Sequence, residues 1–399
     1  MIGGGLQGAG VALELSTRGV TVDLYESRHV CLGQASFQNE GKIHLGFIYA
    51  KDRTLATARL MAEGGVHFEP IVNRWLETDI SSSLLSSPFL YFVHRNSLLD
   101  SDELGSYYNA VSSIIREAAG QPGTSYFGAD AGAPVRKLSE AERNRMVDSP
   151  LVSAIYQTPE LAIDPESIAA LLRNRLAQDK RIHVHLNTPV GSVANGVDAV
   201  TLTVAGCDVQ YDHVVNAAWE NLLTIDASAG IETQGVGSFR VKYFLRIGAA
   251  QAAVASPSVS VALGGFGDVV GYANGDLFLS WYPVGRRGFS SGIKPLSWPM
   301  PLGEPEASEV RQGIHLGLCP IMPWLSNLSS AAVSSSDVKG GIIYALGDTD
   351  VGDPSSGLHN RHQAGPRSFG RYHSINTGKY TLAPLFAKVT ADRILGTVS

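Results

Sequence analysis

Apolar and polar positions follow two different periods in the first thirty residues of the chain. Ile2 precedes a glycine cluster, residues 11–18 carry apolar side chains at helical spacing, and residues 20–26 alternate as a strand does. This order predicts strand, turn, helix and strand. Only Met1 and Ile2 precede the glycines, where a strand usually has about five residues. Either this edge of the sheet is frayed or the first strand begins upstream.

The same two periods predict the later elements. Helical spacing predicts helices over 54–76, 139–146, 164–176 and 382–395, and strand-like runs occur at 89–93, 182–186, 199–204 and 209–218. The last run ends in a short apolar stretch, which is typical of a buried parallel strand. The remaining parts of 81–150 and 231–335 predict mainly strands and loops. We therefore expect one domain whose sheet is interrupted twice by pieces of a second.

Composition narrows the class of protein. The chain has 399 residues, enough for two or three domains of about 150 residues each. Its formal charge is -6 and its charged fraction is 17%, below the usual ~25%, which argues against a nucleic-acid surface. Cys31, Cys207 and Cys319 lie far apart, with no C-x-x-C pair and no histidine at zinc spacing. We expect no disulfide framework and no metal site.

The sequence predicts a soluble, cytoplasmic protein. Its N-terminus has no basic region before an apolar stretch, as a secretory signal would. The charge-free window 247–267 is interrupted by Gln251, Pro257 and serines, so we expect no transmembrane helix.

A glycine motif lies between the first predicted strand and helix. Gly3, Gly5 and Gly8 satisfy G-x-G-x-x-G, and Glu26 ends the second strand 18 positions later. Glycine permits a tight turn at which the amides of a helix N-terminus approach a pyrophosphate, and the acid accepts hydrogen bonds from a ribose. The four elements together predict a dinucleotide site.

Residues 35–49 read ASFQNEGKIHLGFIY and contain S-x-x-N-x-G-x-I-H-x-G-x-x-Y. With this pattern the chain resembles the D-amino-acid-oxidase-like (DAO) superfamily of FAD-dependent oxidoreductases, and is nearest in motif to 2-hydroxyglutarate and glycerol-3-phosphate dehydrogenases. Further similar segments follow in the same order at 160–165, 187–190, 214–218, 238–243 and 376–384. The resemblance implies an α/β fold, with an FAD-binding Rossmann-like (GR2-type) domain and an interleaved, mostly antiparallel β-sheet substrate domain. We expect the former in residues 1–76, 155–230 and 338–399, and the latter in 77–154 and 231–337.

The resemblance also implies the residues that bind FAD. It assigns Gly3, Gly5 and Gly8 to the pyrophosphate, Glu26 to the ribose and Val190 to the vicinity of the adenine. On the flavin side it assigns Asn39, Gly41, Lys42, Gly378, Lys379, Tyr380 and Thr381. A glycine before a helix N-terminus offers amides and a positive dipole to the negative charge of a reduced flavin.

His44 is the first catalytic candidate that the resemblance implies. The matching histidine of hydroxy-acid relatives can accept the hydroxyl proton, whereas in certain amine dehydrogenases a histidine in a similar loop is bonded covalently to the flavin. Both roles stay open, as does a histidine merely held by neighbouring backbone.

Arg240 and Tyr243 lie in F-R-x-x-Y, which resembles P-F-R-G-x-Y of hydroxy-acid relatives, with Val241 in place of glycine. A guanidinium there can hold a carboxylate in two places. Arg361 and Arg371 are alternatives, and Arg286-Arg287 is interpreted as a surface pair. Trp219 stands where many relatives have the glycine of V-V-N-A-A-G.

The resemblance implies an FAD-dependent oxidoreductase that transfers a hydride from a small, anionic 2-hydroxy acid or similar alcohol to the flavin. An amine or amino-acid oxidase of the same fold is the alternative, and a flavin-binding protein without turnover is a second one. The electron acceptor, whether oxygen, a quinone or a protein, stays open, together with the substrate, the covalency of FAD and the oligomeric state.

Overall fold

A computed structural model of the chain describes residues 1–232, 237–347, 349 and 351–397. Its helices are α1 (Leu6–Thr17), α2 (Ala56–Leu76), α3 (Ser101–Ala119), α4 (Glu140–Met146), α5 (Pro165–Gln178), α6 (Leu222–Ser228), α7 (Ala249–Ala252), α8 (Tyr282–Gly285), α9 (Glu306–Leu318), α10 (Ser330–Ser334) and α11 (Ala383–Ile394). Its strands up to residue 216 are β1 (Val22–Tyr25), β2 (Lys42–Ile43), β3 (Leu90–His94), β4 (Arg136–Lys137), β5 (Val152–Gln157), β6 (Leu161–Ala162), β7 (Ile182–His185), β8 (Val190–Asn195), β9 (Val200–Val204), β10 (Cys207–Tyr211) and β11 (Val214–Asn216). The later strands are β12 (Gly237–Ile247), β13 (Val259–Ala262), β14 (Asp268–Gly271), β15 (Leu277–Leu279), β16 (Arg286–Ser291), β17 (Asp337–Leu346), β18 (Gly365–Phe369) and β19 (Tyr372–Asn376).

A parallel sheet forms the first layer. Strand β1 pairs with β7, and β11 pairs with β19, both in parallel, while β18 adds an antiparallel edge. Ile2 joins the two halves, because it bridges in parallel to Tyr25 on one side and to Asn216 on the other. Within the described residues, Ile2 thus occupies the position between β1 and β11 in this sheet. The sheet also resumes at 214–216, where the apolar run predicted it.

Helix α1 packs against this sheet on one side and against α11 on the other. Its residues from Leu6 to Ser16 are all buried. Small side chains make this possible: a Cβ on Gly10 would lie 2.4 Å from the ring of Trp75 in α2. The glycines of α1 therefore serve helix packing as well as the turn before it.

A mostly antiparallel sheet forms the second part, with strand order β16-β12-β15-β14-β13-β3-β5-β4. Only β13 and β3 pair in parallel within this order. The strands come from two separate stretches of the chain, which confirms the α/β fold with an interleaved antiparallel sheet.

One expected boundary was wrong. Strand β17 pairs with β12 from Gly237–Leu346 to Arg246–Asp337, so residues 338–346 belong to the antiparallel sheet and not to the FAD-binding part. The pairing joins strands about a hundred residues apart, which no local pattern reports. The rest of the division into two domains stays a proposal.

Among the described residues, five helices, of which α3 and α9 are the longest, lie where the sequence predicted mainly strands and loops. Helix α3 begins with a capping box between Asp100 and Glu103, and buries aromatic and β-branched side chains such as Tyr108 and Ile115. Such residues favour strands by intrinsic propensity, so tertiary packing overrides that preference here. Helix α9 is the second case. Within the part of the chain that the structure describes, no helix is long and apolar enough to span a bilayer.

Candidate active site

The glycine turn at the start of α1 is closed by backbone contacts. Gly3 has a left-handed backbone, with φ at +93°. A Cβ on Gly8 would lie only 1.9 Å from the carbonyl oxygen of Gly3, whereas one on Gly5 would lie 3.1 Å from Ser36 Oγ. Gly8 is therefore required for the turn itself. Gly5, which has φ at -72° and caps the helix, faces the less crowded side.

Glu26 lies at the mouth of this turn. Its Oε2 accepts a hydrogen bond from the amide of Gly4 at 2.8 Å, and its Oε1 accepts one from the amide of Arg28 at 2.9 Å. The chain near Val190 lies beside it, because the amide of Thr188 donates to the carbonyl of Glu26 at 2.9 Å. The structure thus brings together the predicted ribose and adenine residues.

The C-terminal segment 378–381 lies against the same turn. The amide group of Gln7 donates to the carbonyl of Ala383 at 3.2 Å and accepts from Thr377 Oγ1 at 3.1 Å. Gly378 has φ at +65°, and a Cβ there would lie 2.5 Å from the Cβ of Ala364. The predicted pyrophosphate and pyrimidine segments are therefore neighbours.

Asn39 and Gly41 shape the loop that carries His44. The side chain of Asn39 donates to the carbonyl of Ala35 at 2.8 Å and accepts from the amide of Gly41 at 2.6 Å. Gly41 has φ at +65°, and a Cβ on it would lie 1.8 Å from the carbonyl oxygen of Ile163. Both residues fix the loop, and this role does not require a cofactor.

Thr381 connects this loop to α11. Its Oγ1 accepts a hydrogen bond from the amide of His44 at 2.8 Å and donates to the carbonyl of Lys42 at 3.1 Å. The side chain of Tyr380 packs instead on the ring of Phe68. Thr381 thus holds His44 beside the segment 378–381.

His44 and Glu160 form a buried pair. Nδ1 of His44 lies 3.0 Å from Oε1 of Glu160, and Tyr91 donates its hydroxyl to Oε2 of Glu160 at 2.6 Å. Burial lowers the pKa of His44, and the hydrogen bond with Glu160 opposes this only in part. Burial raises the pKa of Glu160, but the charge of Lys42 and the bond with His44 outweigh burial and hold it below its ordinary value. Both shifts favour a neutral imidazole beside a carboxylate.

Lys42 lies in an enclosed position. Its ammonium group bonds to Ser260 Oγ, lies 3.7 Å from Asp268 Oδ1 and is 4.0 Å from the ring centroid of Phe89. This combination of an ion pair and cation–π contact stabilises a buried charge. The Lys42 side chain therefore links its loop to the antiparallel sheet.

Further charged groups surround this position. Among the described residues the cluster contains the bases Lys42, Lys242, Lys379, Arg240 and Arg361 and the acids Glu40, Glu160 and Asp268. Burial lowers the pKa of Lys379 to about 8, against the opposing charge of Glu40.

Arg240 and Arg361 lie close together in the cluster. Burial lowers the pKa of Arg361 to about 10, and the charge of Arg240 adds to this effect. Arg240 itself is 1% exposed. The buried Nε of Arg361 and the hydroxyl of Tyr49 have no hydrogen-bond partner within the described ranges, and a cavity of about 10 Å³ lies between Arg361 and Gly378. Buried polar atoms of this kind indicate a place for a ligand.

Tyr243 lies outside this cluster, which corrects its prediction as a catalytic residue. Side chains alternate along β12, so Tyr243 points to the opposite face of the sheet from Arg240. It packs in the hydrophobic core there and donates its hydroxyl to the carbonyl of Pro299 at 2.6 Å. Arg371 is also remote, because its guanidinium donates to the carbonyls of Val197 and Asp212 at 3.2 Å.

Trp219 has a left-handed backbone, with φ at +47°. This explains the glycine of relatives at the matching position, since glycine adopts that conformation without strain. The indole donates to the carbonyl of Ile342 at 2.8 Å and packs edge-on against Tyr344. The ring is thus held against the antiparallel sheet.

The sequence did not identify Glu160, Tyr91, Glu40 or Asp268 as site residues. Glu160 opens the segment E-L-A-I-D-P, one of the segments that resemble the family. The available signal was the position of this acidic residue directly before a buried strand, because a buried acid rarely lacks a partner.

The site residues suit FAD. A tight turn at a helix N-terminus is adjacent to a carboxylate for a ribose, and a second glycine turn precedes α11. Tyr49 and Arg361, whose buried hydroxyl and Nε find no partner among the residues that the structure describes, lie in the same region as His44. These donors, together with the two glycine turns, suit a flavin dinucleotide.

Comparisons with known proteins agree. The solved structures of similar fold include glycine oxidase from Geobacillus kaustophilus, at 16% identity over 100% of this chain and 94% of that chain, with a TM-score of 0.67. L-proline dehydrogenase from P. horikoshii is 16% identical over 100% of this chain and 93% of that chain, with a TM-score of 0.67. L-alpha-glycerophosphate oxidase from Mycoplasma pneumoniae with FAD bound is 13% identical over 99% of this chain and 93% of that chain, with a TM-score of 0.66. A search of curated proteins gave no match. The DAO family profile, described as FAD dependent oxidoreductase, matches residues 1–236. The chain therefore belongs to the DAO family of FAD-dependent oxidoreductases, and its cofactor is FAD.

Proposed function

We propose that the protein oxidises the C–H bond beside a hydroxyl group of a small anionic substrate, a 2-hydroxy acid or a similar alcohol. The observation that carries this proposal is the contact of 3.0 Å between Nδ1 of the buried His44 and Oε1 of Glu160, in a setting where burial lowers the pKa of His44. An alcohol needs a base because its hydroxyl proton is held tightly at neutral pH. An amine that is already neutral does not need one.

The residues proposed to bind FAD are those that the family resemblance assigns. Gly3, Gly5 and Gly8 would hold the pyrophosphate, Glu26 the ribose, and Val190 the adenine side, with Asn39, Gly41, Lys42, Gly378, Lys379, Tyr380 and Thr381 on the flavin side. FAD bound there supplies the acceptor for the hydride. Asn39, Gly41 and Thr381 would act by fixing the backbone, as their hydrogen bonds indicate.

His44 would act as the general base through Nε2. Because Nδ1–H donates to Glu160, the lone pair of the ring lies on Nε2. When Nε2 takes the hydroxyl proton, the ring becomes positively charged and the carboxylate of Glu160 stabilises it. This is the base-and-orienter arrangement that general acid–base catalysis requires.

The charge cluster would bind the anionic group of the substrate. Arg240 offers a planar fork that matches a carboxylate, and Arg361 lies beside it. The guanidinium and ammonium groups of the cluster suit an anion. The substrate thus carries a carboxylate or a similar group near the carbon that is oxidised.

Amine donors are the second candidate. The solved structures of similar fold carry the names glycine oxidase, L-amino acid deaminase and L-proline dehydrogenase, whose donors are amines. The fold alone is common to both chemistries, so substrate reduction must separate them.

The test is anaerobic reduction of the purified holoprotein, followed by the absorbance of the bound flavin. A panel of 2-hydroxy acids, glycerol phosphate and 2-amino acids is added one at a time. We expect bleaching with a hydroxy compound, and much slower bleaching in His44→Gln. Bleaching only by amines would reject the alcohol proposal, and no bleaching by any compound would favour a flavin-binding protein without turnover. Acid precipitation shows whether FAD stays with the chain.

A further inference from the structure

The charge pattern changes sharply between β15 and α9. No Asp or Glu occurs in residues 277–303, although the chain has 37 acids and a formal charge of -6. The same stretch contains the bases Arg286, Arg287 and Lys294 and two of the five tryptophans, Trp281 and Trp298. Residues 286–302, here called the 286–302 segment, are therefore a basic and apolar region in an acidic protein.

Large apolar side chains are exposed within this segment. Phe289 is 37% exposed, Ile293 48% and Leu296 60%. Single exposed apolar residues are ordinary on protein surfaces, but three of them within eight positions are not. Lys294 is exposed between the last two. The tip of the segment thus presents apolar groups with a positive charge among them.

The base of the segment is firmly attached. Strand β16 pairs with β12, and the ring of Trp298 covers Gly288 so closely that a Cβ there would lie 2.3 Å from Nε1. Tyr243 donates to the carbonyl of Pro299 at 2.6 Å, and Thr224 donates to that of Ile293 at 3.2 Å. The structure therefore holds the apolar tip outward instead of letting it fold onto the core.

We propose that the 286–302 segment docks the protein on the surface of an anionic lipid bilayer. Exposed apolar side chains beside Lys or Arg, with tryptophan near the boundary, are the features of an interfacial attachment. Attraction to anionic lipid explains why acids are excluded from this stretch of an acidic chain. Arg287 lies 3.4 Å from Glu309, so Lys294 is the main charge for contact with lipid.

The experiment is sedimentation of the full-length holoprotein with vesicles of phosphatidylcholine, with or without phosphatidylglycerol. We expect binding to the anionic vesicles, weaker at high salt. Lys294→Gln should weaken binding about fivefold, as expected for one charge near such a surface. The double variant Ile293→Ser/Leu296→Ser should weaken it by about tenfold or more, because two apolar side chains no longer enter the interface.

Two matched controls lie elsewhere on the surface. Leu316 is 66% exposed in α9, and Lys180 is exposed after α5. Leu316→Ser and Lys180→Gln should leave vesicle binding unchanged, and no variant should alter flavin reduction by a soluble substrate. The proposal is overturned if the wild type does not bind anionic vesicles or if controls and segment variants bind alike. It is also overturned if Leu296→Glu dissociates an oligomer in solution, since the segment would then be a protein interface.

Discussion

The carboxylate of Glu160 lies 3.0 Å from Nδ1 of His44, and both side chains are almost fully buried. Tyr91 holds the other oxygen of the same carboxylate. Glu160 therefore has no freedom to turn away from the ring, and it determines which nitrogen of His44 carries the proton. In the proposed function it is a positioning residue, since it acts through His44.

Glu160→Gln should lower the rate of flavin reduction by about 10²- to 10³-fold, within the range for general acid–base catalysis. The amide keeps the shape but no longer stabilises the protonated ring. We expect kcat to fall while KM changes little, which stopped-flow reduction and steady-state kinetics can separate. Tyr91→Phe is the matched control, with a smaller loss because the carboxylate remains. Equal losses of kcat and thermal stability in both variants would indicate a merely structural pair.

The pH dependence of kcat/KM should report on His44. The base acts when neutral, and burial lowers its pKa below the ordinary value of 6.5. Activity should therefore persist as the pH falls from 7 to 6.5, and then decline about tenfold per unit below the lowered pKa. In Glu160→Gln the acid limb should move lower still, because the carboxylate favours the protonated ring. A decline that begins above pH 7 would exclude His44 as the group observed.

Arg240 should contribute to substrate binding through its fork. Arg240→Lys keeps the charge but loses the two-point contact, so KM should rise. Arg240→Ala should cost about 2 to 5 kcal/mol of binding if the pair is desolvated. The measurement is the KM of both variants for hydroxy acids. Arg371→Ala is the control, because the guanidinium of Arg371 donates to carbonyls remote from the site. An unchanged KM in Arg240→Ala would transfer the role to Arg361.

The parts of the fold that could be predicted from the sequence depend on local signals. The glycine turn, α1 and β1 follow from residues within thirty positions of one another. Gly41 and Gly378 both have a positive φ, a local property of the backbone that a glycine in the sequence indicates. Helix α3 could not be predicted in this way, because its aromatic residues become helical only through packing. The pairing of β17 with β12 likewise depends on contacts between distant parts of the chain.

The site residues also divide into those that a local motif predicts and those that only the fold brings together. His44 stands out in its own motif, but its partner Glu160 is 116 positions away, and no spacing rule connects them. Tyr243 was misplaced for a related reason, since F-R-x-x-Y puts Arg240 and Tyr243 an odd number of positions apart. On a strand that places them on opposite faces. The motif correctly marked a strand but did not show which face each side chain occupies.

Gly5 and Gly8 should respond differently to the same substitution. Gly8→Val places a Cβ against the Gly3 carbonyl, at 1.9 Å, so the apoprotein should lose stability as well as FAD. Gly5→Val has an unstrained φ, and its Cβ would lie 3.1 Å from Ser36 Oγ, so that hydroxyl must shift by a few tenths of an ångström. The apoprotein should therefore lose much less stability than Gly8→Val, about 1 kcal/mol, while FAD content falls. Thermal unfolding of the apoproteins and flavin absorbance separate these effects. Full FAD content in Gly5→Val would contradict the proposal that the pyrophosphate binds beside Gly5.

At position 219 the glycine variant should be more stable than the alanine variant, which reverses the usual order of stability. Removing the indole loses its packing on Tyr344 and its bond to Ile342, so both Trp219→Ala and Trp219→Gly should be destabilised, by roughly 2 to 5 kcal/mol. Alanine keeps a Cβ at a left-handed backbone, which costs about 1 kcal/mol or more. The glycine variant should therefore be the more stable of the two by about that amount, whereas glycine is ordinarily the less stable because it gains more freedom on unfolding. Denaturant unfolding of both variants measures the difference. If alanine were the more stable, the positive φ at Trp219 would not be a requirement of this turn.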